Sequence, residues 1–337
     1  MTKESTAFPS SMERQDPVLQ VENLQTHFYT RSGVVKAVDG VSLTVNPQET
    51  FGVVGETGCG KSVMALSVMR LIEWPPGRIV GGRVSFLGRD LLKTSDQEMR
   101  QVRGNRISMI FQEPMTSLNP VYTIGDQIAE TMRLHQHVSR SDAIKKAVDI
   151  LRRVRISDPE RTIKKHPHEL SGGMRQRVMI AIATSCNPKL LIADEPTTAL
   201  DVTIEAQILE LMKELVREIG ASVMLITHDL GIVAENCDRL AVMYAGNVVE
   251  SGSVQTIFSK PRHPYTHGLL DAIPRLGRKR GEPLAVIKGS VPDLARPPSG
   301  CKFHPRCPDA MSKCGERIPE LVEIEPDHVV SCWLYIR

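Results

Sequence analysis

The residues best suited to chemistry form one tight run, Gly55-Glu56-Thr57-Gly58-Cys59-Gly60-Lys61-Ser62. Glycines at this spacing let backbone N–H groups converge on an anion where side chains would clash. A helix beginning at the end of the run adds its positive terminus to the same anion. Spacing and context match a phosphate-binding loop, in which Lys61 is expected to reach the β- and γ-phosphates and the Ser62 hydroxyl to hold Mg²⁺. A second run, Leu190-Leu191-Ile192-Ala193-Asp194-Glu195, ends an apolar stretch in two adjacent carboxylates. That is unfavourable unless the acids meet a cation or a reacting water. Successive strand residues face opposite ways, so the two acids divide their work. Asp194 is assigned to Mg²⁺ through its water shell, and Glu195 to polarising the attacking water. A third run, Leu170-Ser171-Gly172-Gly173-Met174, places a good N-cap and two donor-exposing glycines at a helix start. With two anion-gripping elements and one lysine-bearing loop, the expectation is a shared site. Each nucleotide would then be clamped between the loop of one subunit and Ser171–Gly173 of another.

These residues need strands and helices to hold them. Phe51–Val54, Ile107–Phe111, Leu190–Ala193 and Val223–Ile226 are compact apolar runs that suit parallel strands buried on both faces. Val18–Val21 and Val41–Val45 are read as edge or antiparallel strands. Apolar positions recur at three and four between residues 124 and 156, which predicts a helical subdomain, about 113–180, inserted into an α/β fold. The polar first 17 residues lack the apolar core of a secretion signal and are read as a disordered tail. The chain has 337 residues, 41% hydrophobic and 24% charged, with a net charge of +3 and 4% aromatics. This composition excludes a disordered protein, a bilayer-spanning one and a dedicated nucleic-acid binder. The basic run Arg278-Lys279-Arg280 is read as solvated linker.

In combination, these motifs resemble the ATP-binding subunits of ABC transporters over about residues 18–260. The resemblance implies a P-loop core of ABC type, within a domain at 18–259, binding ATP and Mg²⁺. It extends to Gln112 as the Q-loop residue, a further Mg²⁺ and γ-phosphate contact, to Asp201 in a D-loop, and to His228 as the switch histidine. Phe28 takes the place of the aromatic that stacks on adenine, with Tyr29 as second candidate. Val63 replaces a common second hydroxyl, and Met174 a frequent glutamine. The segment Pro261–Leu270 is similar to one marking oligopeptide and dipeptide importer ATPases. That implies a non-identical sibling ATPase, two transmembrane permease subunits, an extracytoplasmic substrate-binding protein, no nucleic acid, and a peripheral place on the cytoplasmic face of the membrane. Nickel or another small solute is the alternative cargo. A soluble ABC-type ATPase and a redox-sensing module are rivals of other classes.

The last 37 residues hold Cys301, Cys307, Cys314 and Cys332. A local quartet in a reducing compartment reads first as a metal site. The spacings exceed those of zinc knuckles, and Pro308 follows a cysteine as in bacterial cluster-binding runs. A [4Fe–4S] cluster is expected, with zinc second and free thiols third. It would staple a small cysteine-rich C-terminal module (299–337) behind an extended connection (260–298).

Overall fold

The computed structural model describes residues 16–113, 117–198, 200–273 and 286–336. Nearly all of the polar N-terminal tail, Ala199 of the expected D-loop and the basic run at 278–280 lie outside the described residues. The chain opens with a long antiparallel pair, β1 (Leu19–Thr30) and β2 (Gly33–Val45). Strand β3 (Thr50–Val54) then leads through the glycine-rich loop into helix α1 (Lys61–Val68). After it come β4 (Gly77–Phe86), the short β5 (Arg89–Asp90), α2 (Asp96–Val102) and β6 (Ile107–Ile110).

Helices follow: α3 (Ile124–Gln136), α4 (Arg140–Arg153), the single turn α5 (Pro159–Thr162) and α6 (Gly172–Thr184). The helical stretch read at 124–156 is two helices, separated at His137, which adopts a left-handed φ of 54°. Thr123 and Ser139 cap them by accepting the N–H of Asp126 and Asp142. Then come β7 (Leu190–Asp194), α7 (Val202–Ile219), β8 (Ser222–Thr227), α8 (Leu230–Asn236), β9 (Arg239–Tyr244) and β10 (Asn247–Ser253). The tail adds α9 (Val254–Ser259), α10 (Pro264–Asp271), β11 (Val322–Glu325) and β12 (His328–Val330).

Two sheets result. A small one has the order β2-β1-β4-β5, and the main one runs β11-β12-β10-β9-β3-β8-β7-β6. In the main sheet β9, β3, β8, β7 and β6 are mutually parallel. Every residue of β7 and β8 is buried, as expected for strands covered on both faces. The strands read at Val18–Val21 and Val41–Val45 are antiparallel, the first interior in β1 and the second in the edge strand β2. Both are longer than their apolar cores suggest, because polar residues alternate outward along the hairpin. One apolar cluster packs the helices α3, α4 and α6 against β7 and β8. A second lies between the small sheet, α1 and the main sheet. A third joins β9 and β10 to Tyr265 and Phe303 of the tail. Among the described residues no helix is long and apolar enough to cross a membrane.

Candidate functional site

The glycine-rich loop leaves the carboxyl end of β3 and enters α1 at Lys61. Two glycines there have no substitute. Gly55 and Gly60 take φ of 156° and 106°, and a Cβ would stand 2.2 Å from the carbonyl of Met243 or Ala37. At Gly58 a Cβ would meet nothing within 4 Å, so the other side of the loop faces open space. Lys61 Nζ donates to the carbonyls of Gly55 (2.8 Å) and Glu56 (3.2 Å). Cys59 is buried beneath the loop, and burial raises its thiol pKa; its carbonyl accepts the N–H of Gly246.

Neighbouring parallel strands deliver the remaining polar groups side by side. Ser62 Oγ donates to Asp194 Oδ1 at 3.1 Å. Burial pushes the Asp194 carboxyl above the usual range, and the Ser62 hydrogen bond only partly offsets it. A buried acid of this kind, facing a hydroxyl beside an anion loop, fits a divalent cation with oxygen ligands. Glu195 follows with a left-handed φ of 45°, which turns its carboxylate away from Asp194. Three groups hold it. Gln112 Nε2 and Thr198 Oγ1 donate to Oε2 at 2.8 and 3.0 Å, and His228 Nδ1 lies 3.2 Å from Oε1. Gln112, Glu195 and His228 each follow a strand of the adjacent set β6, β7, β8. The set lies at the carboxyl ends of parallel strands, where open α/β sheets bind ligands. A cavity of about 270 Å³ lined by Val54–Thr57, His228, Leu230 and Leu269 adjoins it. A larger one of about 380 Å³, beside α7 and Gly220, touches none of these side chains.

The third motif stands apart. Ser171 caps α6 by accepting the Met174 N–H, while a Cβ on Gly172 or Gly173 would meet Leu200 or Ile204. Among the described residues no hydrogen bond or ion pair joins 171–173 to 55–62. Asp201 caps α7, accepting the Ile204 N–H at 3.0 Å. Phe28 is half-buried in β1 with its ring against Gly77, and exposed Tyr29 packs edge-on against Trp74 at 5.9 Å.

Comparison with known proteins agrees with this geometry. Residues 38–198 match the ABC transporter family, and residues 249–314 match the C-terminal region of oligopeptide/dipeptide transporters. A probable peptide ABC transporter ATP-binding protein of Sinorhizobium fredii is 54% identical, covering 96% of each chain. The oligopeptide transport ATP-binding protein AppD of Bacillus subtilis is 51% identical, over 94% of this chain and 97% of its own. The chain belongs to the family of ABC transporter ATP-binding proteins. The dimeric, post-hydrolysis ATP-binding cassette MJ0796 bound to ADP and Pi superposes with a TM-score of 0.63 at 26% identity, over 70% of this chain and 98% of its own. The fold is therefore the mixed α/β ABC cassette with a P-loop core.

This ABC cassette departs from expectation in its tail. No group of three or more His, Cys, Asp or Glu among the described residues is arranged to hold a metal ion, and all four tail cysteines are free thiols. The expected [4Fe–4S] cluster and its zinc alternative therefore lack a ready ligand set. Burial raises the Cys301 and Cys332 thiols and lifts Cys307 to about 11. Cys314 Sγ accepts the Met311 N–H. What holds the tail instead is pairing of β12 with β10, together with buried polar contacts. Glu250, fully buried, accepts the N–H of Arg262 and His263 and lies 2.8 Å from His328 Nε2. Sequence reasoning missed a contact at the loop itself. Arg306 NH1 and NH2 donate to Glu56 Oε2 and Oε1 at 2.7 and 3.1 Å, and Tyr265 Oη accepts the Glu56 N–H at 3.0 Å. Only the place of Tyr265 within the importer-like segment Pro261–Leu270 hinted at it.

Proposed function

We propose that this cassette hydrolyses MgATP to drive uptake of di- and oligopeptides across the cytoplasmic membrane. The observation that carries the reading is Glu195, oriented by Gln112, Thr198 and His228 beside the Ser62–Asp194 pair. Relatives named as peptide, dipeptide and oligopeptide transport ATP-binding proteins, at about half identity over nearly the whole chain, support the cargo class.

In this reading the backbone of 55–60 and the Lys61 ammonium bind the phosphates, Lys61 exchanging its carbonyl acceptors for phosphate oxygens. Ser62, Asp194 and Gln112 would hold Mg²⁺, which supplies charge neutralisation at the β- and γ-phosphates. Glu195 orients the attacking water in line and takes its proton. His228 and Gln112 hold that carboxylate and respond to the γ-phosphate. Phe28 is assigned to the adenine. Ser171–Gly173 and Asp201 act across an interface with a second cassette, a sibling in preference to an identical chain. The helices between β6 and β7, as a subdomain at about 113–180 within a cassette at 18–259, pass the movement to two permease subunits at the cytoplasmic face. A binding protein on the far side supplies the solute. The extension 260–337 is assigned to importer-specific work.

Within that extension, a [4Fe–4S] cluster, or zinc as second choice, is tested by the absorbance spectrum and metal content of anaerobically purified protein. What supports it is the crowding of Cys301, Cys307, Cys314 and Cys332 into the last 37 residues. The decisive test of the main reading is Glu195→Gln. ATP binding should persist while turnover falls by roughly 10²–10⁴, the range for loss of a general base. Turnover at the parental rate would overturn the assignment.

A further inference from the structure

The tail meets the phosphate loop at Glu56, through both its backbone N–H and its carboxylate. Glu56 has a side chain 28% exposed, standing in the loop that the proposed function assigns to ATP phosphates, on which reading this inference rests. A bare carboxylate there would repel a triphosphate. The Arg306 side chain is only 6% exposed and meets that carboxylate with a two-pronged fork. Its guanidinium is fixed from behind: Nε donates to the Lys288 carbonyl at 3.0 Å, and NH1 also donates to Tyr244 Oη at 3.3 Å. Beneath it, Tyr244, Tyr265 and Phe303 pack at centroid distances of 4.7 to 5.4 Å, joining core to tail through a fully buried aromatic cluster. Tyr265 Oη takes the Glu56 N–H, so that amide is committed to the tail while its neighbours remain available to an anion.

We propose that the carboxyl-terminal extension completes the phosphate-binding loop, with Arg306 cancelling the Glu56 charge and Tyr265 fixing the Glu56 amide as positioning residues for nucleotide. ATP affinity then depends on residues some 200 positions or more beyond the loop. Because the 3₁₀ turn carrying Arg306 lies between Cys301 and Cys307, anything that rearranges those thiols is felt at the loop.

The test is binding of the fluorescent analogue mant-ATP with Mg²⁺ to the full-length chain and its variants. Arg306→Ala should weaken binding about tenfold, as expected for an uncompensated unit charge several ångströms from phosphate at a half-buried site. The loss should shrink as salt is raised. Adding Glu56→Gln to Arg306→Ala should return affinity to within about twofold of Glu56→Gln alone, a rescue that a merely structural role would not produce. Arg306→Lys, which keeps charge but not the fork, should fall between, and serves if the alanine variant does not fold. Parental affinity in Arg306→Ala, or no rescue by Glu56→Gln, overturns the proposal. Failure of the parental chain to bind mant-ATP would instead sink the functional reading beneath it.

Discussion

Asp194 and Glu195 are adjacent in the chain and yet face different partners, because the strand ends at the first and the backbone turns left-handed at the second. The Asp194 carboxyl, raised by burial, is ionised at neutral pH only against an opposing desolvation energy. Its folded pKa exceeds its unfolded one, so without a cation its ionisation weakens the fold as pH rises through that interval. Asp194→Asn should therefore raise the thermal midpoint of metal-free protein by roughly 2–4 °C per kcal/mol recovered, while removing Mg²⁺-dependent turnover. Calorimetry and an ATPase assay on the same preparation check both halves. At this scale the sequence was informative wherever an apolar run ended in a polar residue, as at Gln112, Asp194 and His228. It was silent on Thr198, whose hydroxyl could serve any loop, and on Arg306. An arginine in a proline-rich tail looks solvated until folding carries it 250 positions back to Glu56.

Among the elements, α10 shows how a helix start can make stability pH-dependent. His263 caps it, its Nδ1 accepting the Tyr265 N–H at 3.0 Å, and its ring packs near Phe303. Burial holds the imidazole pKa at about 3, against an ordinary 6.5. Between those values the unfolded chain binds the extra proton, so this contribution is intact above pH 6.5 and is lost as pH falls. Acidification from pH 7 to 5 should lower unfolding free energy by about 2 kcal/mol through this group. His263→Asn keeps a capping acceptor and should flatten that slope in urea titrations at the two pH values. The helices themselves were legible because Ala143, Ala147 and Leu151 recur on one buried face. The break at His137 was not, since a left-handed histidine has no glycine to announce it. Ser139→Ala, removing a cap beside that break, should cost about 1 kcal/mol with little effect on nucleotide binding.

For the whole molecule, the separation of Ser171–Gly173 from residues 55–62 sets the terms of activity. If a second cassette supplies the missing donors, specific ATPase activity should rise several-fold with protein concentration before levelling, as association fills the shared sites. Activity strictly proportional to concentration down to the dilute limit would mean that one chain suffices. The α/β architecture was readable from alternating apolar runs and helical periodicity. The attachment of the tail was not, because β11 and β12, four and three residues long, are too short to read as strands, and the cysteine spacing pointed to a metal staple in their stead.

That attachment has a hazard built into it. Strand β12 covers the outer rim of β10, and His328 shields Glu250 from below. A chain cut short of residue 322 would keep every nucleotide motif, yet bare the rim of β10 and leave the buried Glu250 carboxyl without its His328 partner. Such a fragment should clump with its own kind, so losing the last sixteen residues would take the motor out of circulation without touching its engine.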